Sequence, residues 1–246
     1  MRTLVKLTGS ELKLFLREPL GVFFVVAFPS ILVGILGSIP GFREPTPDLG
    51  GLRVIDLYVT ISITLGLAIL ALQGAPVVLA TYRERGVLRR LSTTPVHPAK
   101  LLVAQLTSNL VAFSASTVLV LAVGRIVFDV PLPRHLGAYV VAFALATSAL
   151  FAMGVFVAAI APNGKAGNAI GTILFFPVMF FAGLYVPREA MPETLRRIGD
   201  FTPLGAGEQA LRDASTGLWP HAGQIAVLGA YIVVFGLAAA RLFRWE

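Results

Sequence analysis

The sequence predicts an all-α polytopic membrane protein with six transmembrane helices. Composition is the first observation behind this. Hydrophobic residues make up 56% of the 246 and charged residues 13%, where a soluble domain carries about 25% charged residues. The second is the arrangement of the apolar residues. They gather in six runs, near 20–39, 56–80, 101–127, 136–161, 168–186 and 223–242, and about 20 such residues suffice for a helix to cross a bilayer. The third is the placement of charge. With six spans, one side receives the N-terminal segment, 82–100, 162–167 and the C-terminus, holding twelve of the 20 Lys/Arg, and the other side holds eight. The positive-inside rule then puts both termini in the cytoplasm.

The same inventory excludes other classes. The chain has no cysteine, so neither a disulfide nor a thiolate metal site can form. His97, His135 and His221 are scattered without metal-ligand spacing. A net charge of +7 would suggest nucleic acid in a soluble protein. Here the cations flank apolar runs and set orientation, so no nucleic-acid partner is expected.

In chain order, "MRTLVKLTGSELKLFLREP" (1–19) reads as an amphipathic helix on the membrane surface. Arg2, Lys6, Lys13 and Arg17 share one sector; Leu4, Leu7, Leu14 and Phe15 fall on another. Membrane lipids are thus its first partners. Glu11 and Glu18 interrupt the apolar positions; each either pairs with cations of the next cytoplasmic loop or snorkels to water. The first span is too long for a signal-peptide core and lacks a small-residue cleavage site. Ser62, Gly66, Ile69, Gln73 and Val77 form a stripe on the second span, Gln105, Asn109 and Ser116 on the third, and Asn168, Thr172, Phe176, Met179 and Gly183 on the fifth. Small and polar residues of this kind either pack helices together in lipid or line a cavity for an amphipathic molecule.

Between the second and third spans lies "YRERGVLRRLSTTPVHPAK" (82–100), the densest charge in the chain. After the fifth span, 187–222 forms a long outer connection. "PETLRRIGDF" within it predicts a short amphipathic helix with Leu195, Ile198 and Phe201 on one side. "TPLGAGEQALRDA" predicts a second, N-capped by Thr202 with Pro203 in its first turn. The pair either dips into the outer leaflet as a re-entrant hairpin or forms a solvated loop; the family resemblance given below favours the hairpin. No separate domain or repeat divides residues 1–246.

The span interiors hold almost no ionisable side chains, Asp56 and Arg125 lying near helix ends. Ion-coupled pumps keep such groups in mid-membrane, so their scarcity argues against that class. "APNGKAGN" lacks the first glycine and the Ser/Thr of a phosphate-binding loop. The chain is therefore not expected to be an enzyme by itself, and its driving energy must come from another chain.

"YRERGVLRRLSTTPVHPAKLLVAQL" resembles the cytoplasmic loop of type-2 permeases of ATP-binding-cassette (ABC) exporters, which carry E-R-E-x-G-T-L-x-x-L-x-x-x-P-x there. Glu84, Arg85, Gly86, Leu88, Leu91 and Pro95 match; Tyr82 and Val87 depart from the pattern. "FFPVMFFAGLYVPREAMPETLRRIGDFTPLGAGEQALRDA" is similar to the family's fifth span and outer hairpin. The resemblance extends over the whole chain and is closest to bacterial drug- or antibiotic-export permeases. It implies a dimer, with a second copy or with another permease. It implies ABC ATPase subunits docked on the cytoplasmic side, ATP and Mg bound in them rather than in this chain, and a bacterial plasma membrane location.

By that resemblance, 82–100 contains a coupling helix in which Glu84, Arg85, Gly86, Val87, Leu88, Arg89, Leu91 and Pro95 engage the ATPase. Its apolar residues would anchor and its arginines surround the anchor. The resemblance also turns the second and fifth spans toward the dimer axis, so Gln73, Thr172, Phe176 and Met179 are the expected substrate path. The implied function is ATP-driven export of an amphipathic drug, antibiotic or lipid-like molecule, with a lipid-linked glycan as the alternative cargo. An ATP-independent scramblase or channel is the competing reading.

Overall fold

The computed structural model describes residues 2–47, 51–87, 90 and 99–243. Along them run α1 (Arg2–Leu16), α2 (Pro19–Gly37), α3 (Val54–Glu84), α4 (Ala99–Phe128), α5 (Leu136–Ile160), α6 (Gly164–Phe181), α7 (Glu193–Asp200), α8 (Pro203–Thr216) and α9 (Ala222–Leu242). The protein is an all-α polytopic membrane protein. α2 to α6 and α9 are the six helices long and apolar enough to cross a membrane, and no strand occurs among the described residues. α3 is the central helix, almost wholly buried from Ile55 to Leu72 and touching α2, α4, α5, α6 and α8. α9 packs on α5 and α8 and leaves most of its surface outward. α1 lies along α4.

Two π-turns shape the bundle, and each lies beside a proline. In α2 the π-turn spans Phe23–Ala27 and Pro29 follows. Without an N–H, Pro29 cannot bond the carbonyl of Val25, four residues back. The Ser116 hydroxyl of α4 donates to that carbonyl at 2.7 Å instead. In α3 the π-turn spans Ile69–Gly74 and Pro76 follows. Pro76 releases the Leu72 carbonyl, and Gly171 of α6 lies so close that a methyl there would fall on the Leu72 oxygen. Gly154 of α5 meets the Ala71 oxygen in the same way. The small residues of α5 and α6 thus let their backbones seat against irregular backbone of α3, which lipid alone would not tolerate.

The α3 π-turn also breaks the stripe read from the sequence. An extra residue per turn rotates everything after it. Ser62 and Gly66 face the core, Gly66 against Pro29 and the Val25 carbonyl, whereas Gln73 and Val77 are half-buried on another side. Span limits shift as well. α3 continues to Glu84, so Tyr82, Arg83 and Glu84 lie on its last helical turn rather than in the loop. α6 begins at Gly164, so residues 161–163 alone connect it to α5.

The hairpin between α6 and α9 forms as the turn chemistry predicts. The Thr202 hydroxyl accepts from Gly205 N at 3.1 Å and Pro203 opens α8. Gly217, at φ 101°, ends it in the left-handed conformation. α8 starts deep against α5, where Gly207 packs against Ala146, and runs from there to Gly217, which lies against Arg134 just before the start of α5. Ala146 stands ten residues into α5, about 15 Å at 1.5 Å per residue. The hairpin therefore reaches near mid-span.

Candidate functional site

The terminal end of the bundle, where α1, the end of α3, the start of α4, the α5–α6 turn and the end of α9 meet, gathers three polar contacts made by consecutive residues. Leu79, Leu101, Ala158 and Phe243 form an apolar cluster there, with Leu7, Tyr82 and Val87 packed against it. Above the cluster, the Tyr82 hydroxyl donates to both carboxylate oxygens of Glu11, at 3.1 and 3.0 Å. The Arg83 guanidinium donates to the Ala159 carbonyl at 3.1 Å and also to that of Ala161. A Glu84 carboxylate oxygen accepts from the Gly164 amide at 3.2 Å. α3 then stops. Arg85 N bonds Thr81 O, and Gly86, at φ 65°, takes the left-handed conformation that favours glycine.

Each of these contacts has a local cause. The last carbonyls of α5 carry partial negative charge and lack helical partners, so a guanidinium suits them; the first amides of α6 suit a carboxylate. Asn163 caps α6 as well, accepting from Ala166 N at 2.8 Å. Glu11 is buried, and burial raises its pKa, an effect partly offset by the Tyr82 hydrogen bond. Among the described residues its hydrogen-bond partner is the Tyr82 hydroxyl, while Glu18 is exposed.

Of the residues expected to engage a partner, Arg85 is exposed, Gly86 forms the turn and Val87 packs into the chain's own cluster. Glu84 is bound to α6. Leu88, Arg89, Leu91 and Pro95 lie outside the described residues. The expected path residues divide. A methyl at Gly171 would lie 3.7 Å from the Gln73 Cα, which brings Gln73 next to Thr172, and Phe176 stands out from the same helix at 56% exposure. Met179 is fully buried in the core and does not share that surface. Among the described residues no group of three or more His, Asp or Glu could hold a metal ion.

A family model for ABC-2 family transporter proteins matches residues 45–241, most of the chain. The chain belongs to the ABC-2 transporter family. The match runs from before α3 through all but the last residue of α9, and so includes the α3 junction, the α5–α6 turn and the hairpin of α7 and α8. The ABC-2 permease is the membrane subunit of an ABC transporter, and its family associates with ABC ATPase subunits. No curated protein matches the chain.

Three features of the permease were not read from its sequence. Arg83 and Asn163 hold the α5–α6 turn, a role that opposite charges at positions 83 and 84 could have suggested only if the turn's position were known. Glu208, 1% exposed in α8, carries a carboxylate into the bundle beside Arg212, 3.9 Å away. The i, i+4 spacing was visible, but the depth of α8 was not.

Proposed function

We propose that this ABC-2 permease is the membrane half of an ATP-driven exporter in a bacterial plasma membrane, with both termini cytoplasmic. It moves an amphipathic drug, antibiotic or lipid-like molecule out of the cytoplasm or inner leaflet. The ATPase subunits, holding ATP and Mg, dock on the 82–100 loop, and two permeases pair with α3 and α6 toward the axis. The observation that carries this reading is the end of α3. Gly86 turns the chain out of the helix, beside the exposed Arg85 and Arg90, on the same end as α1. Exposed arginines at this turn fit a partner groove with acidic edges. The path reading is supported by Gln73, Thr172 and the protruding Phe176, an apolar surface with few polar groups that suits hydrophobic cargo better than charged cargo.

The test replaces Arg85 and Arg90 with Glu in one chain and leaves Gly86, whose φ of 65° any side chain would strain. Co-purification of the ATPase subunit should be lost while helical content and thermal unfolding of the permease stay unchanged. If that complex still assembles and exports, the docking assignment is wrong. Lipid or ion flux through the purified chain alone in liposomes would instead establish an ATP-independent scramblase or channel.

A further inference from the structure

We infer that Arg83 and Glu84 are positioning residues that join the root of the 82–100 loop to the α5–α6 turn, so that a displacement of the loop is carried into the fourth and fifth spans. This rests on the proposed docking of the ATPase at that loop.

The covalent chain connects the loop only to α3 and α4. The two side chains extend the connection to a pair of helices that neither end of the loop continues into. Arg83 holds the Ala159 carbonyl in the last turn of α5 and the Ala161 carbonyl just past its end; Glu84 holds the first amide of α6, at Gly164. Adjacent residues of opposite charge thus meet adjacent helix ends of opposite partial charge, and each contact is charge-assisted. The connecting turn is only residues 161–163, so the two grips act on one short element.

The backbone below keeps that grip stiff. Gly164 packs directly on Thr81, one helical turn's reach from Glu84, and Gly167 lies against the Pro76 carbonyl, 3.1 Å from where its Cβ would stand. From there Gly171 reaches the π-turn beside Gln73. One line of contacts therefore runs from the loop root along the α3–α6 seam to the proposed substrate surface. α1 is fastened to the same turn of α3 through Tyr82 and Glu11. Gly86 marks the other boundary, since its left-handed turn ends the helix immediately after the grip.

The test exchanges the two charges, Arg83→Glu with Glu84→Arg. Composition and net charge are preserved while both helix-end matches become repulsive. The chain has no cysteine, so Val87→Cys and Lys165→Cys can carry a spin-label pair spanning the junction. In the native background the label distance should be narrowly distributed; in the exchanged chain it should broaden. Transport into inside-out vesicles, normalised to the ATPase that co-purifies, should fall by about tenfold or more in the exchanged permease.

A second variant, Arg83→Lys with Glu84→Asp, retains both charge matches. It should recover most of the transport, which separates loss of positioning from misfolding. An unchanged distance distribution in the exchanged chain, or transport unaffected by the exchange, would overturn the inference. The label measurement uses the permease alone, so it decides the junction even if no ATPase binds. Failure of the unaltered permease to bind an ATPase would instead count against the docking reading.

Discussion

Ser116 and Gly171 show how single residues make irregular backbone tolerable in a membrane. Each meets a carbonyl released by a proline, Ser116 by donating its hydroxyl to Val25 and Gly171 by offering no side chain at Leu72. Ser116→Ala should leave the Val25 carbonyl without that donor and destabilise the permease by about 0.6–1.7 kcal/mol, the range for interhelical hydrogen bonds in lipid. Gly171→Ala forces α6 away from α3 and should cost about 1–3 kcal/mol, as overpacking does. Thermal unfolding in detergent measures both. Gly34→Ala is the control, because nothing lies within 4 Å of that added methyl; a Gly171→Ala protein that melts with the Gly34→Ala protein would contradict the close approach. Neither role was legible from the residue types. Serine and glycine in a span read equally well as packing or as cavity, and the partner carbonyls lie far away in sequence.

At the scale of the element, α1 is the helix whose behaviour depends on one titrating group. Its amphipathic pattern was legible, but Glu11 looked like a flaw in the apolar face. In the fold it is the buried residue of that helix, held by Tyr82. Burial raises its pKa, so docked α1 holds the proton more tightly than undocked α1. Docking is therefore strongest below the ordinary glutamate pKa. It weakens as pH rises through the interval up to the raised value, then becomes independent of pH. A spin label at Leu7→Cys should become more mobile across that interval, and Glu11→Gln should flatten the response. A profile that keeps its slope in the Gln variant would assign the titration to another group. α8 gives the opposite lesson. Its Thr202 cap, Pro203 start and length followed from local rules, because caps depend on neighbouring backbone alone. Its depth did not, since that depends on what α5 leaves open at Ala146.

Across the whole molecule, buried or half-buried arginines tie the helix ends together. At the end of the bundle away from the termini Arg188 is 4% exposed. It donates to the Phe181 carbonyl at 3.0 Å and the Arg196 carbonyl at 3.2 Å, and it pairs with Asp200. Arg53 does similar work there, joining Asp56 to the Phe128 and Asp129 carbonyls at the end of α4. At the terminal end the corresponding residue is Arg83. Arg188→Met should release the hairpin from α6, lowering stability by roughly 1.5–3 kcal/mol, the range for hydrogen bonds to charged groups. Protease access to 182–202 should increase, and an unchanged cleavage rate would show that the hairpin is held elsewhere. The arginine counts that indicated orientation therefore describe two populations. Some arginines face water, and others close the bundle.

What the sequence by itself determined is the solvent, the number of spans and the local helix signals. These depend on composition, run length and near-neighbour chemistry, all written in consecutive residues. It also carried the family, since the 82–100 pattern and the 187–222 hairpin are linear motifs. Only the tertiary structure decided which face of α3 meets α6, because a single π-turn rotates the helix and no periodic reading anticipates it. Tertiary structure likewise decided that Glu84 grips α6, that Met179 belongs to the core and that Glu208 sits near mid-span. Each of these depends on a helix end or a facing backbone supplied from far along the chain, and the physical quantity at issue, the distance between two groups, does not exist until the helices pack.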